Sequence, residues 1–246
     1  MNYNNIYDRI EREVFAVKII DRSLAVLSMF ALIVALLLTS FQVAIYGDLE
    51  YKFYEKEYIK YNVTESLNMK MEDVMTVTEH MMDYLIDKEP ELSIVTDVDG
   101  KTQDFFNEQD RLHMWDVQNL FLGGLKIRTG LLVVSIALIL ILGIRKTELK
   151  QLLPKAYTIA FVVFLGVLAF LGIAFTVDFT KCFTIFHEIF FTNDLWLFDA
   201  RYDYMIRMLP EGFFADMVLR ILKFFLAFLA ILFIVMQSWK RYEKNK

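Results

Sequence analysis

The chain has 246 residues, 57% hydrophobic and 15% aromatic, with a mean hydropathy of +0.41, whereas soluble domains run at about 45–50% apolar. Its 26 Lys and Arg against 31 Asp and Glu give a formal charge of −5, which excludes a global basic field for nucleic acid. Three prolines and nine glycines exclude a collagen-like or disordered chain, and one cysteine, Cys182, excludes an internal disulfide and a Cys-rich metal site.

Residues 1–23 are mixed in charge and lead into an uncharged apolar run within 24–46. About 20 mainly apolar residues suffice to span a bilayer, so 24–46 is the first expected span. The run is too long for a signal-peptide core and no A-x-A site follows it, so no cleavable signal is expected. Residues 47–128 are too many for a simple loop. Within them, Met71, Val74, Met75, Thr78, Met81, Met82 and Leu85 fall at helical spacing over 69–86. Two short runs about Asp99-Gly100 predict a β-hairpin over 92–105. Leu112, Trp115, Leu120 and Phe121 predict a helix over 107–122, which Gly123-Gly124 should end.

The second span, 129–144, is short and draws on Ile127 and a snorkelling Lys126 or Arg128. A loop at 145–155 leads to the third span, 156–177, again uncharged. Residues 178–216 are unusually aromatic, which suits a headgroup layer where rings have one wet and one apolar end. Pro210 should stop a helix that begins near Asp199. The fourth span, 217–236, includes Arg220 and Lys223, which should lie near the interface or face other helices. Their partners are either acidic lipid headgroups or Asp side chains. Residues 237–246 form a basic tail.

Orientation follows from Lys and Arg. Segments 1–23, 145–155 and 237–246 together hold 12 of them, as many as the far longer segments 47–128 and 178–216. By the positive-inside rule both termini are cytoplasmic, and 47–128 and 178–216 are extracytoplasmic. The expected fold is an all-α polytopic membrane protein with four transmembrane helices. A small, mostly helical cap with a β-hairpin lies between the first two.

Only three histidines occur: His80, His113 and His187, all on the expected outer side. His80 reads as a surface residue. Asp116 follows His113 by three positions, so on a helix it can hold the imidazole. His187 lies just after the third span, flanked by Phe183 and Phe190 at i−4 and i+3. A histidine against apolar rings at a membrane surface can be poised near neutrality as a general base, although packing alone also accounts for it. Asp199 and Asp203 stand four apart and could share a helix face, orienting a base, binding a cation or simply facing water. A His113/Asp116/His187 metal site has no diagnostic spacing. There is no HExxH motif, no G-x-S-x-G elbow and no P-loop. From the residues alone, an interfacial hydrolase and a non-enzymatic protein with a partner- or cation-binding acidic cap both remain open. Cys182 reads as a small core residue.

The run from Phe186-His187-Glu188-Ile189-Phe190-Phe191 through Thr192-Asn193-Asp194-Leu195-Trp196, followed by Asp199, Asp203, Leu209-Pro210-Glu211 and Phe213-Phe214, resembles the signature of the bacterial lipoprotein intramolecular transacylase (Lit) family. His113-Met114-Trp115-Asp116-Val117 is similar to that family's other histidine motif, and Tyr84-Leu85 to a shorter element. The resemblance implies an enzyme of the bacterial cell membrane that acts on diacylglyceryl-modified lipoproteins. It implies that the sn-2 acyl chain moves from glycerol to the α-amine of the N-terminal cysteine, giving the lyso-form. His113 and His187 would be the catalytic pair. Asp116, Asn193, Asp194, Trp196, Asp199 and Tyr84 would support them as oxyanion donors or orienting groups, with Asp116 the first choice to orient a histidine. Ester-to-amide transfer is downhill and the substrate supplies its own nucleophile, so neither cofactor nor metal is expected. The implied partners are lipoproteins and membrane lipids.

Overall fold

The computed structural model describes the backbone of residues 3–244 and the side chains of 11 and 15–242. Residues 1–2 and 245–246 of the expected cytoplasmic end segments lie outside the described residues. Nine helices and one hairpin follow in order among the described residues: α1 (Tyr3–Tyr46), α2 (Lys52–Lys60), α3 (Val63–Leu67), α4 (Met71–Leu85), β1 (Val95–Val98), β2 (Lys101–Asp104), α5 (Glu108–Ile144), α6 (Leu149–Val177), α7 (Phe179–Phe190), α8 (Tyr204–Met208) and α9 (Glu211–Lys244). Among the described residues four helices are long and apolar enough to cross a membrane: Phe15–Tyr46, Glu108–Ile144, Leu149–Val177 and Glu211–Tyr242. Their outward residues include Val133, Ile136, Leu140, Val162, Val167, Phe170 and Ile231, all exposed. An apolar exterior of this kind needs lipid, not water, as its solvent.

The chain divides into two compact units. The first comprises Met1–Thr39, Ile127–Leu171 and Phe225–Lys246. Its core joins Ala25, Met29 and Ile33 of α1 to Leu142 of α5, Leu153, Ala156, Tyr157 and Ala160 of α6, and Phe225 and Leu229 of α9. The alanines let helix backbones approach closely, as small residues do in lipid. Tyr157, fully buried, donates its hydroxyl to the Leu229 carbonyl at 2.7 Å. An ion pair of 2.6 Å joins Arg145 and Asp21.

The second unit comprises Ser40–Lys126 and Gly172–Phe224. Its core gathers Tyr54 and Tyr58 of α2, Leu67 of α3, Val74, Val77 and Met81 of α4, Phe105, Phe106, and Met208 and Phe213. A buried hydroxyl pair there, Tyr58 with Thr78, is satisfied at 2.7 Å. The helical spacing at 69–86 forms α4. The expected hairpin forms as well, with Val95 opposite Asp104 and Val98 opposite Lys101. Its turn places Asp99 and Gly100 at φ 51° and 73°, the left-handed pair that a two-residue hairpin of this twist requires. Arg207 of α8 donates to both Asp99 carboxylate oxygens, at 2.7 and 3.1 Å, tying the turn to α8.

Two expectations fail. Gly123-Gly124 does not end a helix; α5 runs through both glycines to Ile144. A helical glycine costs only about 1 kcal/mol against alanine, and no proline follows to stop the helix. Nor does a helix begin near Asp199. Residues 192–203 are non-helical and α8 starts at Tyr204, while Pro210 immediately precedes α9.

Gly212, in the first turn of α9, lies under the Tyr61 ring, where an added Cβ would fall 2.6 Å from the hydroxyl oxygen. That hydroxyl donates to Asp216 at 2.6 Å, so the ring cannot swing away without losing its bond. Gly212→Ala should lower the Tm of the detergent-solubilised protein by an overpacking cost of about 1–3 kcal/mol. An unchanged melt would mean that Tyr61 yields freely.

Candidate functional site

Two elements of the second unit bring the distant histidines together. The early turns of α5, ahead of the uncharged stretch 129–144, carry His113. The last turn of α7 carries His187. The α7 helix is capped by Asp178, whose carboxylate accepts from the Lys181 N–H at 2.9 Å. Both imidazoles are buried, with 6% exposure for His113 and 7% for His187. Their ring centroids lie 6.0 Å apart with planes 27° from parallel.

Aromatic rings enclose the pair. His187 stacks on Trp196 at 5.0 Å, touches Phe183 at 4.2 Å and meets Phe186 at 5.4 Å. Phe191 meets both histidines, at 5.0 Å from His113 and 5.5 Å from His187. Phe198 closes on His113 at 5.3 Å. Phe190, expected beside His187, instead packs on Phe186 at 4.8 Å.

The Nδ1 of His187 lies 2.8 Å from the Phe183 carbonyl. A carbonyl only accepts, so Nδ1 carries the hydrogen, and Nε2 of the neutral ring holds the free lone pair. The Nδ1 of His113 is buried without a hydrogen-bond partner. Burial pushes the pKa of His113 down to about 4, aided by neighbouring His187 and opposed by Asp116. Burial also lowers His187, against the Phe183 carbonyl bond, which raises it. Both rings are therefore neutral at pH 7. For His113 the value lies well below neutrality, because the rings around it exclude water on most sides.

Asp116 does not hold the His113 imidazole. Its Oδ2 accepts from the Asn193 side-chain amide at 2.9 Å. Asn193 also organises its own loop: its Oδ1 accepts from the Leu195 N–H at 3.1 Å and its carbonyl from the Trp196 indole N–H at 2.9 Å. The single N–H of Trp196 is thus committed, and its role at His187 is to stack. Asp194 is exposed, with its carbonyl capping the Leu197 N–H. Asp199 and Asp203 share no helix. Asp203 accepts from the Asp199 N–H at 2.6 Å and from the Asn107 amide, also at 2.6 Å, and Asp199 faces Arg201. Tyr84 is buried in the unit's core and makes no ring contact with either imidazole among the described residues. His80 is half-buried; its Nε2 lies 3.1 Å from the Glu91 carbonyl and 3.3 Å from the Ser93 N–H, donating to the first in one tautomer or accepting from the second in the other. No group of three or more metal-ligating side chains occurs among the described residues.

Sequence reasoning missed Gln109. Its amide donates to the carbonyls of Leu195 and Leu197 at 3.0 and 3.1 Å. Gln109, His113 and Asp116 stand at i, i+4 and i+7 of α5, so one polar stripe carries a histidine and, on either side of it, the two clamps on loop 191–198. That spacing is visible in the sequence; the loop it grips is not.

The family model for lipoprotein intramolecular transacylase Lit matches residues 26–214. The chain belongs to this family. It is therefore a membrane acyltransferase. The fold agrees with solved structures of the membrane-integral lipoprotein intramolecular transacylase Lit from Bacillus cereus. One is 20% identical with a TM-score of 0.75, covering 92% of this chain and 99% of that one. A histidine-to-arginine variant of the same protein is 18% identical with a TM-score of 0.74, covering 96% and 98%. A histidine-to-alanine variant is 19% identical with a TM-score of 0.74, covering 95% and 100%. No curated protein matches the chain. Family membership displaces the non-enzymatic reading of the acidic segments.

The buried histidines predict a pH dependence of stability. In the unfolded chain both titrate near about 6.5; in the fold both titrate lower, His113 at about 4. Between those values the unfolded chain binds protons that the fold does not, so stability falls as pH drops through that window. Tm followed from pH 7.5 to pH 5 should decline, and His113→Phe should flatten the decline. An equally steep fall in the variant would rule out His113 as a source.

Proposed function

We propose that His113 and His187 carry the acyl shift on a diacylglyceryl-modified lipoprotein, moving the sn-2 chain from the glycerol oxygen to the α-amine of the N-terminal cysteine. The observation that carries this reading is the paired, dry, neutral imidazoles 6.0 Å apart. The amine attacks the ester carbonyl, so a C–N bond forms and the C–O bond to glycerol then breaks. One proton must leave nitrogen and one must reach the departing glycerol oxygen, so the reaction is proton-neutral. His187 is the base in this reading, because its Nδ1–H is fixed on the Phe183 carbonyl and Nε2 is left to accept. Once protonated, an imidazole of lowered pKa is a strong acid and gives its proton up readily to an alkoxide. His113 then serves as partner in that relay.

Asn193 keeps one amide N–H beyond its bond to Asp116, which makes it the supporting side chain best suited to the tetrahedral oxyanion. Trp196 orients His187 by stacking. Asp116 acts on the site through Asn193. Because both reacting groups belong to one molecule, proximity supplies much of the rate once the lipid head is held folded over. The aromatic segment 178–216 and the spans suit the acyl chains. The distribution of Lys and Arg supports cytoplasmic termini and a site on the extracytoplasmic side.

Expression in cells that hold only diacylglyceryl lipoproteins should yield N-acyl, S-monoacylglyceryl N-termini by mass spectrometry of the lipopeptide. His187→Ala should slow conversion by about 10²–10⁴-fold, the usual worth of a general acid–base group. Near-normal product from a folded His187→Ala protein would remove it from the chemistry. Free fatty acid in place of the N-acyl product would mean hydrolysis.

A further inference from the structure

Arg220 occupies an unusual position. It lies in the helix that forms the fourth span, and among the described residues it makes no hydrogen bond or ion pair. Its Nε is buried without a partner. Its guanidinium lies over the Phe53 ring at 4.3 Å and near the Phe224 ring at 5.9 Å. Those rings shield Nε and leave the two terminal nitrogens as reachable donors. Lys223, one turn on and exposed, has no ion pair among the described residues either.

The obvious counter-charge is already committed. Asp216 stands one turn before Arg220, but its carboxylate accepts from Lys60 and from the Tyr61 hydroxyl. Lys60 also pairs with the buried Glu57 at 3.5 Å. The sequence left acidic headgroups and Asp side chains open as partners for Arg220 and Lys223; this network engages Asp216, the Asp one turn before Arg220. Beyond Lys223, residues 224–239 carry no charge, a helical length of about 24 Å. The two cations therefore mark one edge of an apolar stretch nearly as thick as a bilayer's hydrocarbon core, about 30 Å, which is headgroup level. A guanidinium partly removed from water by two rings gains most from an anion with several oxygens that its fork can engage together. A neutral ester carbonyl would satisfy one N–H and leave the charge uncompensated.

We propose that Arg220 and Lys223 form a phosphate-binding site, filled in the membrane by the phosphodiester of a phospholipid. The site is separate from the two histidines and does not depend on the reaction assigned to them.

The test is native mass spectrometry of the purified full chain, with phosphatidylglycerol, a diacylglycerol of the same tails and inorganic phosphate as probes. The wild type should retain one phosphatidylglycerol through delipidation and retain diacylglycerol far less. Retention should fall about tenfold in Arg220→Gln, a loss typical of a charge-assisted pair, and recover in part in Arg220→Lys. Lys223→Gln, at an exposed position, should weaken retention a few-fold even if Arg220→Gln fails to fold. Displacement by millimolar inorganic phosphate would support the site and assign it to free phosphate; persistence would assign it to the headgroup. Equal retention of diacylglycerol, or unchanged retention in Lys223→Gln, would overturn the proposal.

Discussion

The polar stripe of Gln109, His113 and Asp116 on α5 is what the rest of the site depends on. A loop that carries Phe191, Asn193, Trp196 and Phe198 has no regular hydrogen-bond ladder of its own. Gln109 grips its carbonyls at 195 and 197, and Asp116 grips its amide at 193. Between those grips the loop presses rings onto both imidazoles. Loosening either one would let water reach the histidines, and with water their neutral state at pH 7 would have to be maintained differently. The α5 helix can serve as the anchor because it is a single element of 37 residues, so the stripe inherits the rigidity of a long helix.

The high aromatic content has a division of labour. In the second unit, Tyr54, Tyr58 and Phe213 build a core with one edge, one tilted and one stacked contact. Around the histidines the same ring chemistry acts as a water barrier. Phe183 acts on its neighbour twice, packing a tilted ring against His187 and accepting the Nδ1 hydrogen through its carbonyl. One residue thereby sets the tautomer and the dielectric of its neighbour one turn away.

Elements governed by local chemistry were legible in the sequence. The period of Met71 to Leu85 became α4, and Asp99-Gly100 became the tight turn it spells. The four long apolar helices followed from run length and the absence of charge. Local signals misled where a distant group competed for the same atom. Asp116 has His113 three positions away and yet bonds Asn193, 77 residues on. Asp199 and Asp203 have helical spacing, but Asn107 and Arg201 hold them in a turn. The Gly123-Gly124 pair has the form of a stop signal, but its small penalty is overridden by the apolar helix on each side. Gly212 carried no signal at all, because only the Tyr61 ring above it requires the missing Cβ.

The enclosure that keeps both imidazoles uncharged also acts on whatever enters it. A free N-terminal ammonium has an ordinary pKa of about 7.7–8.0, so in water at neutral pH most of it lacks a lone pair. Brought between Phe183, Phe191, Phe198 and Trp196, that cation meets the same loss of hydration that depresses the histidines. On the proposed reaction its proton would be shed on the way in, and the nitrogen would arrive already nucleophilic. Entry itself would then be the activation step, and a blocked or permanently charged amino terminus would gain nothing from the enclosure.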